Sequence, residues 1–167
     1  LLPGGEPRRI FGEAGLKKAL EAVIYADGGN ISRSPLVQLD AIMAIAMLQR
    51  IYAMRSIAPP QYLHEVQTRA VPALLGVTHG DGGLGCWQGS GAASAEQVRA
   101  ITDASGVRTR PLKQARDWGY QRLTAGKLIL LADAAPPPVA RVTDAGCAST
   151  LAFELSDGPT RIIVKCG

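Results

Sequence analysis

His79 and Asp81 stand in a stretch, THGDGGLGCWQGSGAAS at residues 78–94, where six glycines surround them and Trp87. An unperturbed imidazole titrates near neutrality, so His79 is a candidate proton carrier. A histidine on such a loop serves equally to order it. Asp81 beside it is a candidate for gripping a substrate group. The string GDGGLG at 80–85 matches G-x-G-x-x-G, but the dinucleotide fingerprint follows a strand and opens a helix. Here it follows a helical pattern and opens a loop, so nucleotide binding is not the reading. The stretch reads as a connector between two layers or as the wall of a site.

Other chemistry-bearing residues are spread along the chain. Tyr120 has a proton to exchange, or is a core residue of a strand. Arg122 is a carboxylate clamp or an outward strand residue. Cys147 lacks a nearby base to activate it and suits a small buried position. Arg108, Arg110, Lys113 and Arg116 form a polar cluster, either a solvated linker or an anion patch. Cys86, Cys147 and Cys166 are too scattered for a zinc site or a disulfide framework. No metal and no cofactor is therefore expected.

The elements that would position these residues change character along the chain. Residues 7–26 carry an imperfect apolar stripe at helical spacing. Ser34-Pro35 is a helix start, with serine as N-cap and proline at the first position. The following LVQLDAIMAIAMLQRIYAM is apolar almost all round, the mark of a helix covered on several sides. A third helix follows Pro59-Pro60 and contains Pro72, which removes one backbone hydrogen bond. Ser94 and Gln97 have the spacing of a capping box for a short helix to about residue 103. Residues 118–123 and 127–133 read as strands around a turn at 124–126. Pro136-Pro137-Pro138 marks an edge or crossing. Residues 150–156 alternate, with Leu151, Phe153 and Leu155 on one face, and residues 161–166 answer with Ile162, Val164 and Cys166 inward. Helices first and strands second give an α+β class. Three parts are expected: helical at 1–77, joint and linker at 78–117, strands at 118–167.

Bulk numbers bound the function. The 167 residues are 47% hydrophobic and only 5% aromatic, so Leu, Ile, Val and Ala make the core. The net charge is +4 and the pI about 9.2, which favours acidic partners. Aromatics are not interleaved with the cations, so nucleic acid is not the expected partner. The longest apolar run is far short of the ~20 residues that span a bilayer, so no membrane span is expected. The all-round apolar helix and the abrupt ends read as a piece of a longer protein, with further parts on both sides.

Three segments in order carry a resemblance. DGGNISRSP at 27–35 resembles the DGSHxEQSPxYH motif of the heparinase II/III-like polysaccharide lyases. GYQR at 119–122, followed by LILLAD at 128–133, resembles the opening of their β domain. DAGCASTLAFEL at 144–155 resembles their HGHADxLSFEL. The resemblance implies a partial (α/α) toroid followed by an antiparallel β-sandwich, with an acidic polysaccharide in the cleft between them. It implies β-elimination from a uronate-containing glycan: a base removes the proton beside the carboxylate and the glycosidic oxygen leaves. It also implies a bacterial periplasmic or cell-envelope location.

Carried over position by position, the motif histidine falls on Asn30, which still donates to a carboxylate. Its Glu-Gln falls on Ser32-Arg33, and Arg33 is suited to neutralising an acidic sugar. Its tyrosine, the usual acid/base, falls on Val37, and the next histidine on Gln38. In the β motif the two histidines fall on Ala145 and Cys147 and the aspartate on Ser149. Two functions follow. One is a lyase with His79 and Tyr120 as catalytic candidates and Asn30, Arg33, Asp81 and Arg122 as substrate-binding candidates. The other is a degraded lyase scaffold that binds glycan, or serves the cell envelope, without cutting.

Overall fold

A computed structural model describes residues 5–139, 141, 143 and 146–165. Four helices come first: α1 (Gly5–Val23), α2 (Pro35–Met54), α3 (Gln61–Gly76) and α4 (Ala95–Ala104). Four strands follow: β1 (Tyr120–Ala125), β2 (Leu128–Asp133), β3 (Phe153–Asp157) and β4 (Thr160–Ile163). The strands form one antiparallel sheet in the order β1-β2-β3-β4. The class is α+β, as the helix-then-strand pattern requires.

Local signals explain most boundaries. Pro35 opens α2, although the Ser34 hydroxyl makes no capping bond. Ser94 and Gln97 do form the reciprocal capping box of α4. Pro72 is accommodated inside α3. The Pro72 carbonyl also ties α3 to the chain beyond α4, accepting from the Leu112 amide at 2.8 Å. β1 and β2 turn at Gly126, whose φ of +60° suits a residue without a Cβ.

Two apolar clusters hold the layers. Leu20, Ile24, Ile45, Leu63 and Val66 join α1, α2 and α3. Leu39, Ile42, Val71, Leu74, Leu84, Trp87, Trp118, Tyr120 and Leu131 join the helices, the joint and the sheet. Full burial of one such aliphatic side chain is worth about 1.5–3 kcal/mol. α2 packs on α3 and α4. Met43, Met47, Ile51 and Met54 of α2 remain exposed, so the apolar-all-round helix is covered on one side here. By length and composition α2 is also apolar enough to cross a membrane.

Gly29 sits under Trp118. A Cβ built there would lie 2.0 Å from the Trp118 Cγ. Gly29→Ala therefore overpacks the core and is expected to cost about 1–3 kcal/mol. A melting curve reads this as a lower Tm, with altered tryptophan emission; an unchanged curve contradicts the close packing.

The sheet corrects one expectation. Alternation along β3 and β4 is present, but the covered side is the polar one. Glu154 and Ser156 are fully buried against the joint, while Phe153 is 45% and Ile162 56% exposed. Leu151 and Val164 are exposed as well. The reason lies in what the sheet meets. The joint presents His79 and backbone amides, which need acceptors, so the facing positions are Glu and Ser. The apolar positions Leu123, Leu128, Phe153 and Ile163 share the open face, the kind a second sheet covers in a sandwich. A bulge at Leu155/Ser156 shifts the β3–β4 register. Ala145 and Cys166 lie outside the described residues.

Candidate functional site

The six expected site residues fall into two clusters. The first cluster contains Asn30, Arg33 and Tyr120. Arg33 is 3% exposed and adopts φ +60°, a left-handed conformation that costs a non-glycine residue about 1 kcal/mol. Its guanidinium pairs with the fully buried Asp133. It also donates to the carbonyls of Trp118, at 2.8 Å, and Pro136, at 2.5 Å. With the Ala135 carbonyl as a further acceptor, four of its five N–H donors are taken, and a side chain 4% exposed does not reach an acidic sugar. Asn30 is buried, and its side-chain oxygen accepts from the Ser32 amide at 2.9 Å. Tyr120 donates its hydroxyl to the Arg33 carbonyl at 2.6 Å and stacks edge-on against Trp118. Burial, with Asp133 nearby, pushes the Tyr120 hydroxyl well above its ordinary value. It stays protonated at neutral pH, and its proton is already committed.

Asp133 is the centre of this cluster, and sequence reasoning passed over it. One carboxylate oxygen receives Arg33 and the Ala135 amide. The other receives the Ser149 hydroxyl at 2.5 Å and the Gln88 amide at 3.1 Å. Gln88 also donates to Ser149 at 2.7 Å and accepts from the Cys147 amide at 2.8 Å. Gln88, like Arg33, has a left-handed backbone, with φ +52°. Leu151, at φ +68°, donates its amide to the Asp133 carbonyl. Three of the four non-glycine residues with positive φ among the described residues thus converge on Asp133. Strain of this kind persists only where the surroundings over-determine it. Ser149 and Cys147 occupy the positions where the resemblance expects reactive side chains, and here they serve the network.

The second cluster contains His79, Asp81 and Arg122. The His79 side chain is fully buried. Its Nε2 lies 2.5 Å from the Glu154 carboxylate and its Nδ1 3.2 Å from the Ser156 hydroxyl. The Gly80 amide donates to that same hydroxyl at 3.2 Å. A serine, a histidine and a glutamate are therefore linked in a chain, the connectivity of a nucleophilic triad. The burial excludes that use: Glu154 and Ser156 are both 0% exposed, and a nucleophile must reach a substrate. Glu154 also accepts from the Cys86 and Lys165 amides, each at 3.2 Å. Burial alone pushes its carboxyl up. The His79 hydrogen bond and the two amides outweigh this and hold it below the ordinary carboxylate value.

Asp81 is exposed and forms a two-pronged pair with Arg161, at 2.8 and 3.2 Å. That hydrogen bond is the main reason its carboxyl is held low. Arg122 donates to the Thr78 carbonyl and, at 3.5 Å, to that of Gly76. It caps the carbonyl end of α3, where a cation is favoured. Gly80 is pressed on the turn after β3; a Cβ there would lie 1.8 Å from the Gly158 carbonyl oxygen. A cavity of about 390 Å³ opens between the joint and α4, with Asp81 and Arg99 in its wall.

The structure thus splits the expected residues between two clusters and buries four of the six, Asn30, Arg33, His79 and Tyr120. Val37, where the resemblance expects a tyrosine, is 41% exposed and has no proton to give. Gln38 is buried and donates to the carbonyls of Gly28 and Ala70. Asp27, at the head of the same motif, accepts from the amides of Gly29, Asp117 and Trp118. Its bond to Gly29 is local, an Asx-type turn, while the one to Asp117 spans ninety positions of sequence.

Residues 107–167 match the model of the family described as heparinase II/III-like, C-terminal. FtsZ-localized protein C of Caulobacter vibrioides (strain NA1000 / CB15N) is 28% identical over 166 residues, which cover 98% of this chain and 29% of that protein. A mutant heparan sulfate lyase HepC from Pedobacter heparinus superposes with a TM-score of 0.70 at 16% identity, over 98% of this chain and 29% of its own. A heparinase III, the BT4657 gene product, superposes with a TM-score of 0.68 at 15% identity, over 93% and 28%. The chain spans under a third of each of these relatives. The C-terminal part of the chain thus matches the heparinase II/III-like family model, and the chain shares its fold with two of these lyases.

Proposed function

We propose that the protein is a glycan-binding member of this family, directed at an acidic, uronate-containing polysaccharide, and that this part of it performs no elimination. The observation that carries the reading is the state of the titratable groups. His79, Tyr120 and Arg33 are buried and hydrogen-bonded within the joint, and an exposed Val37 stands where an acid/base belongs. Elimination needs a base within about 3 Å of the proton beside the uronate carboxylate. His79 and Tyr120 are each only 3% exposed, so neither reaches such a proton. The name of the curated relative supports the same reading, because it describes a location, at FtsZ, and no reaction. A cell-envelope role fits that name.

The competing reading is the lyase itself, favoured by the shared fold with heparan sulfate lyase. One experiment separates them. Full-length protein is incubated with heparin, heparan sulfate and alginate, and both binding and unsaturated-uronate absorbance are followed. Saturable binding with flat absorbance is the expected result. Rising absorbance with any of the three polymers establishes the lyase.

A further inference from the structure

We propose that residues 104–116 form a preordered cationic strap that binds a linear acidic polysaccharide along the outer surface of the joint. This rests on the glycan-binding reading above and adds to it a place and a set of residues.

The charge is local. Eighteen basic and fourteen acidic residues leave the chain at +4. Residues 104–116 hold four cations, Arg108, Arg110, Lys113 and Arg116, and no acidic residue. The rest of the chain is therefore neutral, and the whole excess of positive charge sits in this strap. Several cations elsewhere are matched by carboxylates: on α1, Arg9 pairs with Glu6 and Glu13 and Lys17 with Glu21, while Arg33 pairs with Asp133 and Arg161 with Asp81. Within the strap Arg108 has an ion pair, to Asp103 at 3.7 Å, with both side chains well exposed. A pair of that kind contributes little and is readily exchanged for another anion. Asp103 and Asp117 flank the strap and mark where its positive character stops.

The strap is fixed, and it has two sides. Val107 and Leu112 pack on the core, and Ala115 is buried within it. The four cationic residues between and beyond them are exposed. Backbone bonds hold this arrangement from both layers. The Leu112 amide donates to Pro72 of α3 at 2.8 Å. The Lys113 carbonyl accepts from Arg122, and the Ala115 amide donates to Tyr120, both on β1. Ala115 in turn accepts from Gly119 at 2.7 Å. The ordering cost that a flexible basic tail meets on binding is already met here. Arg116 is eight positions along the chain from Arg108, so the row reaches at most about 29 Å, the scale of several sugar units in line. The strap carries no aromatic side chain, so it offers no platform for stacking bases, which argues against single-stranded nucleic acid.

The test uses full-length protein on immobilised heparin and on alginate. A strap variant carries Arg108→Ala, Arg110→Ala, Lys113→Ala and Arg116→Ala. A control variant loses the same charge elsewhere, by Arg8→Ala, Lys17→Ala, Lys18→Ala and Arg50→Ala. Melting curves establish that both are folded. The strap variant is expected to bind about tenfold or more weakly at about 0.1 M salt, and each lost cation lowers the salt slope by about 1. The control variant is expected to bind within about twofold of the wild type. Equal weakening of both variants overturns the strap, as does wild-type binding that the strap variant retains; in both cases the glycan-binding reading stands. Wild-type protein that binds neither polymer overturns that reading itself. Single-stranded DNA or anionic phospholipid vesicles competing as well as heparin would show that the strap serves another class of partner and would overturn the assignment to glycan.

Discussion

Asp133→Ala is expected to lower the unfolding free energy by about 3–5 kcal/mol, because it strands a buried guanidinium. Arg33 and Asp133 are 4% and 0% exposed at their side chains, so water cannot replace the lost partner. The same substitution removes the acceptor shared by Ser149 and Gln88, and leaves the left-handed Arg33 and Gln88 without what over-determines them. Replacing both charges together, with Arg33→Met and Asp133→Leu, is expected to cost much less than either single change, since no unpaired charge remains. A denaturant double-mutant cycle measures this. Additive single and double costs would mean the pair is not the joint's centre.

Loss of Glu154 is the second large effect. Glu154→Ala removes the acceptor of His79 and of two backbone amides in a site closed to water. A cost of about 3 kcal/mol is expected. The pair also predicts a pH dependence. The Glu154 carboxyl is held below its ordinary value in the fold. Its contribution is therefore present above the unfolded-state value, near 4.5, and is lost as pH falls through the lower folded value. Asp81, held low by Arg161, acts in the same direction. Stability of the wild type should fall steeply below about pH 4.5, and Glu154→Gln should flatten part of that fall. An unchanged acid limb in Glu154→Gln would contradict the direction assigned to this carboxyl.

Much of the fold was legible because local chemistry wrote it. Ser94 and Gln97 announced the α4 capping box, Pro35 the start of α2, and the helix-to-strand change of period the class. The glycines of residues 78–94 announced a loop, which runs between α3 and α4. The candidate site was legible only as a neighbourhood. Asn30, Arg33 and Tyr120 meet in one cluster, and His79, Asp81 and Arg122 lie in another. Their burial was not visible, because it depends on partners far away in sequence: Arg33 on Asp133, His79 on Glu154, Asp27 on Trp118. The covered side of β3 was misjudged for the same reason. Alternation shows two faces, and hydrophobicity assigns the apolar one to the core. In this sheet the joint's polar groups claim the side of Glu154 and Ser156.

The account stands or falls on whether the titratable residues of the joint hold the structure or perform chemistry. The direct measurement is unsaturated-uronate release by the full-length protein, compared with His79→Gln and Tyr120→Phe variants whose melting curves are recorded alongside. The account predicts no release by any of them, unchanged glycan binding for each variant that stays folded, and a lower Tm for both variants. Release by the wild type that either variant abolishes while its Tm is unchanged would contradict it.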